Sequence, residues 1–218
     1  MEQLEKMDDF FSARLAGYDA HMMQDIFGAA EFYPFTASLL PEKPGAKVLD
    51  LGCGTGLELT DYFARNPRAS VTGIDLSADM LSALREKFPG KDLTLIRGSY
   101  FDEPFGENQF DTAVSVESLH HFPYEQKLQL YRKLYLSLKN EGYFVLTDYF
   151  AESADAEKEY FTQYEILKEK QNLPDDVFYH YDTPLTASHE MNALINAGFS
   201  EVSILKNWGA TFTLLAKK

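Results

Sequence analysis

Three glycines at alternate positions, Gly52, Gly54 and Gly56, constrain this 218-residue chain more than any other feature. They follow an apolar run at 48–51 that predicts a buried strand, and they lead into a predicted helix that begins at Leu57. Without a Cβ at these positions, the backbone can turn tightly and expose its N–H groups to a ligand. A strand–turn–helix unit of this kind, at the start of an alternating α/β domain, predicts a cradle for a small molecule.

The spacing of the glycines separates two classes of cofactor. A dinucleotide fingerprint, G-x-G-x-x-G, would place its third glycine at position 57, where this chain has Leu57. The motif that is present, Asp50-Leu51-Gly52-x-Gly54-x-Gly56, resembles the nucleoside-binding motif of class I S-adenosylmethionine (SAM) dependent methyltransferases. The resemblance implies SAM as the cofactor and S-adenosylhomocysteine (SAH) as the product. The cofactor-binding residues that it implies in this motif are Asp50, Gly52, Cys53, Gly54 and Gly56.

The charge balance limits the class of substrate. Asp and Glu total 34 against 20 Lys and Arg, and the formal net charge is −14. Nucleic acids and anionic membranes are bound largely through Lys and Arg, and the chain has no run rich in either. We therefore expect a small-molecule substrate, with no nucleic-acid or membrane partner. Separately, we expect the protein to be a monomer or a homodimer. With a charged N-terminus, one cysteine and no apolar stretch of about 20 residues, the sequence predicts a cytoplasmic protein.

Apolar periodicity predicts a doubly wound α/β fold. A helical segment covers about 4–40, with breaks near Gly17 and Gly28. Strands are predicted at 48–51, 70–75, 93–97, 110–116 and 142–149, and helices at 57–65, 78–88, 124–138, 151–171 and 190–197. The runs 202–205 and 211–215, joined by Asn207-Trp208-Gly209, predict a terminal antiparallel hairpin.

The fold prediction is one domain with a mostly parallel seven-stranded sheet and helices on both faces. Within it, 1–40 form a helical lid, 41–150 the cofactor-binding core, and 151–218 a helical substrate segment with the hairpin.

Polar residues at the strand ends extend the predicted cofactor site, because ligands in such folds bind beyond the carboxyl ends of the strands. Asp75 ends the second strand, where a carboxylate about 20 residues past the glycine turn binds ribose hydroxyls. NAD and SAM proteins share that carboxylate, so Asp75 does not discriminate between them. Ser99 stands where the family often has an acidic residue that reaches the adenine. The remaining cofactor residues implied by the resemblance are Leu76, Met80, Ser99, Tyr100, Val116 and Glu117.

Tyr18 is the cofactor residue predicted ahead of the glycine turn. The run Arg14-Leu15-Ala16-Gly17-Tyr18-Asp19 resembles the lid helix of the ubiquinone-biosynthesis-type methyltransferases, in which a tyrosine leans over the cofactor. An ordinary buried aromatic residue is the alternative for Tyr18.

His121 and Tyr149 are the catalytic candidates, since they follow the fourth strand and end the fifth. A packing or capping role is favoured for His120. For His121, packing and contact with the substrate are about equally favoured. Adjacent histidines make a poor zinc site, because successive side chains diverge and no Cys or His partner stands at ligand spacing. We therefore expect no metal. Candidates for the roof of the pocket are His180, Tyr160, Tyr164, Phe178 and Tyr179.

Three functions remain open. The first is in-line transfer of the methyl group of SAM to a small molecule; methylation of a protein or tRNA is a variant of it, and the acidic charge balance argues against tRNA. An NAD-type oxidoreductase is the second, and Leu57 in place of glycine argues against it. The third is a SAM-binding protein without methyl transfer, or another SAM user such as a carboxy-SAM synthase.

Overall fold

A seven-stranded mixed sheet forms the centre of the computed structural model, which describes residues 3–218. The strands are β1 (Lys47–Leu51), β2 (Ser70–Asp75), β3 (Asp92–Arg97), β4 (Phe110–Val116), β5 (Leu138–Tyr149), β6 (Glu201–Trp208) and β7 (Thr211–Lys217). Their order in the sheet is β3-β2-β1-β4-β5-β7-β6. The first five run parallel, and β7 lies antiparallel between β5 and β6. This confirms the predicted sheet and its terminal hairpin.

Helices cover both faces of the sheet. They are α1 (Met7–Arg14), α2 (Tyr18–Asp25), α3 (Ala29–Ser38), α4 (Leu57–Arg65), α5 (Ala78–Lys87), α6 (Tyr124–Ser137), α7 (Ala154–Gln171) and α8 (Ala187–Ala197). Alternate strand residues belong to two cores: Val114 and Val145 pack with α3, α4 and α5, whereas Ala113 and Phe144 pack with α6 and α8. Because successive side chains of a strand point to opposite faces, each strand contributes to both cores. No helix among residues 3–218 is long and apolar enough to span a membrane.

Side-chain caps set two helix boundaries that the apolar pattern missed. Helix α7 begins at Ala154 rather than at residue 151, because the Ser153 hydroxyl accepts the Ala156 N–H at 3.1 Å. Helix α8 begins at Ala187 rather than at residue 190, because the Thr186 hydroxyl accepts the His189 N–H at 3.2 Å. Both caps follow the known preference of Ser and Thr for the N-cap position.

Strand pairing corrects two further boundaries. Strand β5 starts at Leu138 rather than at residue 142, since Leu138 pairs with Phe110 before the register shifts. In the hairpin, Trp208 pairs with Thr211, so the strands are longer than predicted and the turn is Gly209-Ala210. Trp208 stays in the strand because its side chain packs into the core against α3.

The N-terminal helices lie over the carboxyl ends of the strands. The start of α1 and the residues before it are tied to a distant loop, because the Met7 N–H donates to the Phe178 carbonyl and the His180 N–H donates to the Glu5 carbonyl, both at 3.0 Å. Gly17 and Gly28 interrupt the segment as predicted, and Gly28 has a φ of +82°. This arrangement closes one side of the region where ligands bind in doubly wound folds.

Candidate functional site

The glycine turn has a backbone that only glycine adopts easily. Gly52, Gly54 and Gly56 have φ values of +71°, +46° and +70°, in the left-handed region. A Cβ on Gly52 would lie 1.9 Å from the Ser118 hydroxyl oxygen, whereas a Cβ on Gly54 would meet no atom closer than the Tyr18 ring at 4.0 Å. Gly54 is therefore the position where the turn is open towards the lid.

Asp75 holds the turn in place. One carboxylate oxygen accepts the Gly54 N–H at 2.9 Å, and the other accepts the Ser77 N–H at 2.8 Å. Burial raises the pKa of Asp75, and hydrogen bonds from the backbone N–H groups of Ser77, Gly54 and Leu76 oppose that rise. The carboxylate thus connects the turn after β1 to the start of α5.

A narrow pocket of about 50 Å³ lies between the glycine turn and the lid. Its lining residues are Met7, Phe11, Tyr18, Gly52, Gly54, Asp75, Leu76, Met80, Tyr100, Glu117, Ser118 and His121. Asp19 of α2 fastens the lid above it: its carboxylate accepts the Thr55 hydroxyl at 2.5 Å and pairs with Lys87 at 2.6 Å. The lid is therefore closed on the turn.

A second, larger cleft of about 870 Å³ lies next to the narrow pocket and is lined both by the lid and by residues that follow the strands. Aromatic and aliphatic side chains form one part of its walls, among them Phe10 of α1, Ile26 and Phe27 after α2, and Trp208 of the hairpin. Four residues line both cavities: Phe11, Tyr18, Glu117 and His121. The two cavities therefore meet at these four side chains.

His120 lies between two carboxylates at the base of the larger cleft. Its Nδ1 is 2.6 Å from Oδ1 of the buried Asp148, and its Nε2 is 3.5 Å from Oδ1 of Asp182. Burial alone would lower the pKa of His120, but the charges of Asp148 and Asp182 outweigh it and raise the pKa well above its usual range. At neutral pH this imidazole is therefore protonated.

His121, unlike His120, is neutral. Burial and the neighbouring His120 cation hold the pKa of His121 well below its usual range, so the ring is neutral. Its Nδ1 lies 3.0 Å from the Tyr181 carbonyl oxygen, which assigns the proton to Nδ1 and leaves the Nε2 lone pair free to accept. A neutral imidazole beside the junction of the two cavities can accept a proton.

Glu117 is a second titratable group at the junction. Its backbone has a φ of +49°, and its side chain accepts the Thr211 hydroxyl at 3.0 Å. Burial raises the pKa of Glu117 to about 7, although the His120 cation opposes the rise. Left-handed backbone at a non-glycine residue is uncommon and concentrates at functional sites.

Comparisons with known proteins identify the family. The model of the methyltransferase domain family matches residues 48–142. The carboxy-S-adenosyl-L-methionine synthase of Wolinella succinogenes is 30% identical over 203 residues, which cover 84% of this chain and 80% of that protein. The chain belongs to the class I SAM-dependent methyltransferases.

Other relatives match over smaller parts. The cyclopropane-fatty-acyl-phospholipid synthase of Escherichia coli is 36% identical over 104 residues, and the match covers 48% of this chain but only 26% of that protein. Human N-acetylserotonin methyltransferase in complex with SAM has the same fold, with a TM-score of 0.62 at 20% identity; the match covers 96% of this chain and 55% of that chain.

The residues beside the turn fit the cofactor of this methyltransferase family. Asp50 and Glu58 are buried, and one oxygen of each, Oδ2 and Oε1, has no hydrogen-bond partner. Burial and their mutual interaction raise the pKa of Asp50, and burial also raises that of Glu58. Asp50 and Glu58 lie behind the pocket wall, but the carboxyl groups of Asp75 and Glu117 line the narrow pocket itself, and they suit a ligand such as SAM that carries an ammonium and a sulfonium. The narrow pocket, at about 50 Å³, is smaller than the roughly 300–1,000 Å³ of a small-molecule site, so in this state it does not enclose a whole SAM molecule.

The structure divides the predicted cofactor residues into two groups. Those that line the narrow pocket are Tyr18, Gly52, Gly54, Asp75, Leu76, Met80, Tyr100 and Glu117. Those that do not line it are Asp50, Cys53, Gly56, Ser99 and Val116. Cys53 packs against Gly73 of β2, and the Ser99 hydroxyl accepts the Phe101 N–H in a local turn. The catalytic candidates His121 and Tyr149 both line the larger cleft.

Sequence reasoning missed Asp182. This residue lies on the loop between α7 and α8, where no periodicity marks it. Of the five predicted roof residues, His180 lines the larger cleft and the other four do not. The expectation that the two histidines diverge is wrong, because their ring centroids lie 4.0 Å apart and both face Asp182.

Proposed function

We propose that this methyltransferase transfers the methyl group of SAM to a small-molecule acceptor by in-line displacement. The cofactor would lie along the glycine turn and the acceptor in the larger cleft. The observation that carries this proposal is the junction of the two cavities at Phe11, Tyr18, Glu117 and His121. Transfer needs donor and acceptor to meet at one point with water excluded, and the junction provides such a point.

We infer the roles of the cofactor residues from their positions. Asp75 would bind the ribose, as the strand-end carboxylate does in related folds. Gly54, which has no Cβ, would let the cofactor approach the backbone of the turn closely, whereas the N–H groups of Gly52 and Gly54 already donate to the Ile74 carbonyl and to Asp75. Tyr18 would cover the cofactor from the lid formed by 1–40. The five residues that do not line the pocket would act through the backbone or by shaping the turn.

Methyl transfer from SAM requires the protein mainly to position the two reactants. SAM, when bound, supplies a methyl group that its sulfonium has already activated. The chain's own residues would orient the acceptor, exclude water and, where the acceptor must lose a proton, receive it. His121 Nε2 is our candidate acceptor of that proton, because the ring is neutral and its Nδ1–H is engaged by the Tyr181 carbonyl. Tyr149, whose hydroxyl lies 3.1 Å from that of Tyr160, would position the acceptor by hydrogen bonding.

The larger cleft supports a small, mainly apolar acceptor. Its volume of about 870 Å³ lies within the range of small-molecule sites, roughly 300–1,000 Å³. Aromatic walls suit an apolar body, and the few polar groups at its base would fix the reacting atom. The net charge of −14 argues against a nucleic-acid acceptor.

A second candidate function is carboxy-SAM synthesis. It is favoured by the relative of that name, which matches over 84% of this chain. In that case the cofactor itself would be modified, and the larger cleft would hold the carboxyl donor.

Mass spectrometry distinguishes the two functions. The purified protein is incubated with SAM and an extract of small metabolites, and the adenosyl products are identified. Methyl transfer leaves SAH together with a methylated compound, whereas carboxy-SAM synthesis leaves an adenosyl product heavier than SAM. Neither product above the level of a Gly54→Val control would contradict both functions.

A further inference from the structure

We propose that His120, His121 and Asp182 form a binding site for a divalent first-row transition-metal ion at the base of the larger cleft. Two histidines and one carboxylate are a ligand set that zinc and iron(II) accept. The ligand atoms of the three residues all lie within 4.8 Å of one another. Binding of the metal does not rest on the proposed methyl transfer.

The distances between the ligand atoms suit a shared ion. Asp182 Oδ1 lies 3.5 Å from His120 Nε2 and 3.4 Å from His121 Nδ1. These separations are longer than a good N–H···O hydrogen bond, which ends near about 3.2 Å. Two ligands bound at about 2.0–2.1 Å to a tetrahedral zinc ion would lie roughly 3.4 Å apart, which both separations match.

His120 has the outer support typical of a metal-binding histidine. Its Nδ1–H donates to Asp148 Oδ1 at 2.6 Å, so Nε2 faces the metal position and can bind an ion once it has given up the second proton of the imidazolium. The other oxygen of Asp148 accepts the Leu119 N–H at 2.9 Å, which fixes the carboxylate. A carboxylate that receives the second N–H of a ligating histidine orients the ring and strengthens metal binding.

A backbone contact joins the two loops that carry the ligands. The Thr183 N–H donates to the His120 carbonyl at 2.9 Å, so the residue after Asp182 is fastened to the first histidine. All three ligands line the larger cleft, so the remaining coordination positions face the acceptor. An ion there would polarise an acceptor oxygen as a Lewis acid.

Two protons compete with the metal, one on His120 Nε2 and one on His121 Nδ1, which also lies 3.0 Å from the Tyr181 carbonyl. Both must leave these nitrogens before an ion can bind. A neutral His121 bound through Nδ1 would carry its proton on Nε2, so the metal-bound state and the use of His121 Nε2 as a proton acceptor exclude each other. In the alternative state no ion is bound, and hydrogen bonds and the charge of protonated His120 hold His120, His121 and Asp182 together.

Calorimetric titration of metal-stripped protein with Zn²⁺ tests the site. We expect one ion per chain and a dissociation constant of about 1 μM or tighter. His120→Gln and Asp182→Asn should each weaken binding by at least about tenfold, and Asp148→Asn by about 10–100-fold through its effect on His120. The matched control is His21→Gln, since His21 forms an exposed histidine–carboxylate pair with Asp25 at 2.9 Å. This control should bind Zn²⁺ as the wild type does.

The absorption spectrum of Co²⁺ in place of Zn²⁺ provides a second measurement, because the intensity of its visible bands distinguishes an ion with few ligands in a protein site from the six-coordinate ion in water. Asp182 is the safest variant, since its side chain is 49% exposed and its loss should spare the core. Thermal unfolding without metal checks that each variant folds. If no Zn²⁺ binds, or if Asp182→Asn binds it as tightly as the wild type does, the three residues do not form a metal site and the proposal is wrong.

Discussion

Asp19→Ala should open the lid over the glycine turn. The substitution removes a hydrogen bond from Thr55 at 2.5 Å and an ion pair with Lys87 at 2.6 Å. A buried hydrogen bond to a charged group contributes about 1.5–3 kcal/mol, but the Asp19 side chain is 42% exposed, so we assign about 1 kcal/mol. The partly exposed ion pair adds about 0.5 kcal/mol. The sum of about 1.5 kcal/mol predicts that SAH leaves about tenfold faster.

Stopped-flow fluorescence can measure this release. Trp208 is the only tryptophan of the chain and lines the larger cleft beside the lid, so it reports the lid without a label. Lys87→Met removes the ion pair alone and should accelerate release about twofold. We call the contacts of Asp19 with Thr55 and Lys87 the latch. Because the latch also holds the lid shut without ligand, Asp19→Ala should accelerate association as well and change the SAH affinity little.

Asp25→Ala is the matched control for the latch. Asp25 lies on the same helix, and its pair with His21 is exposed, at 66% and 59% of the two side chains. This variant should release SAH at the wild-type rate. A release rate from Asp19→Ala within about twofold of the wild type would refute the latch, as would equal acceleration by Asp25→Ala.

Three further predictions concern stability and turnover. Lys127→Met should lower the free energy of unfolding in urea by about 3–5 kcal/mol, because the fully buried carboxylate of Glu190, which lies 2.6 Å from the lysine in the wild type, loses its cation. Replacing Glu190 by Leu as well should restore only part of this loss, because the buried Tyr131 hydroxyl then loses the carboxylate to which it donates. Asp111→Asn should cost about 1 kcal/mol at pH 7 after allowance for screening. Burial opposes the low pKa of Asp111, but hydrogen bonds from Lys43, the Lys47 N–H and Lys139 lower it to about 2. This stability is present above the unfolded pKa of 3.8, and the difference from wild type should vanish in unfolding curves as the pH falls through about 2. His121→Gln should reduce turnover by about 10²-fold with SAH affinity unchanged in calorimetry, and full activity would exclude His121 as the base.

Sequence patterns predicted the sheet and the turn because both depend on local signals. The bounds of β2, β4 and α4 agree with the predicted ranges, since each apolar run is framed by turn residues. Three alternate glycines between a predicted strand and a predicted helix indicate a turn with left-handed backbone, and Asp75 is found by its distance along the same βα unit. Boundaries set by a cap or a distant partner, such as Thr186 or Leu138, were missed.

The base of the larger cleft was the least predictable part. Glu117, His121 and Tyr149 follow strands and could be found by fold logic, but their charge states come from burial and from neighbours distant in sequence. Asp182 reaches His120 only because the loop after α7 folds back over the sheet, and no local pattern records that contact. The pairing of Asp19 with Thr55 is of the same kind.

Calorimetric titration of the wild type and of Gly54→Val with SAH, and with NAD as the competing cofactor, tests the central claim most directly. Gly54 is the one turn glycine whose Cβ position is open, so valine there should fill ligand space with little damage to neighbours beyond the strain of its φ of +46°. We predict SAH binding near micromolar by the wild type, no binding of NAD, and loss of SAH binding in the folded variant. Binding of NAD alone, or equal SAH binding by folded Gly54→Val, would contradict a SAM site at this turn.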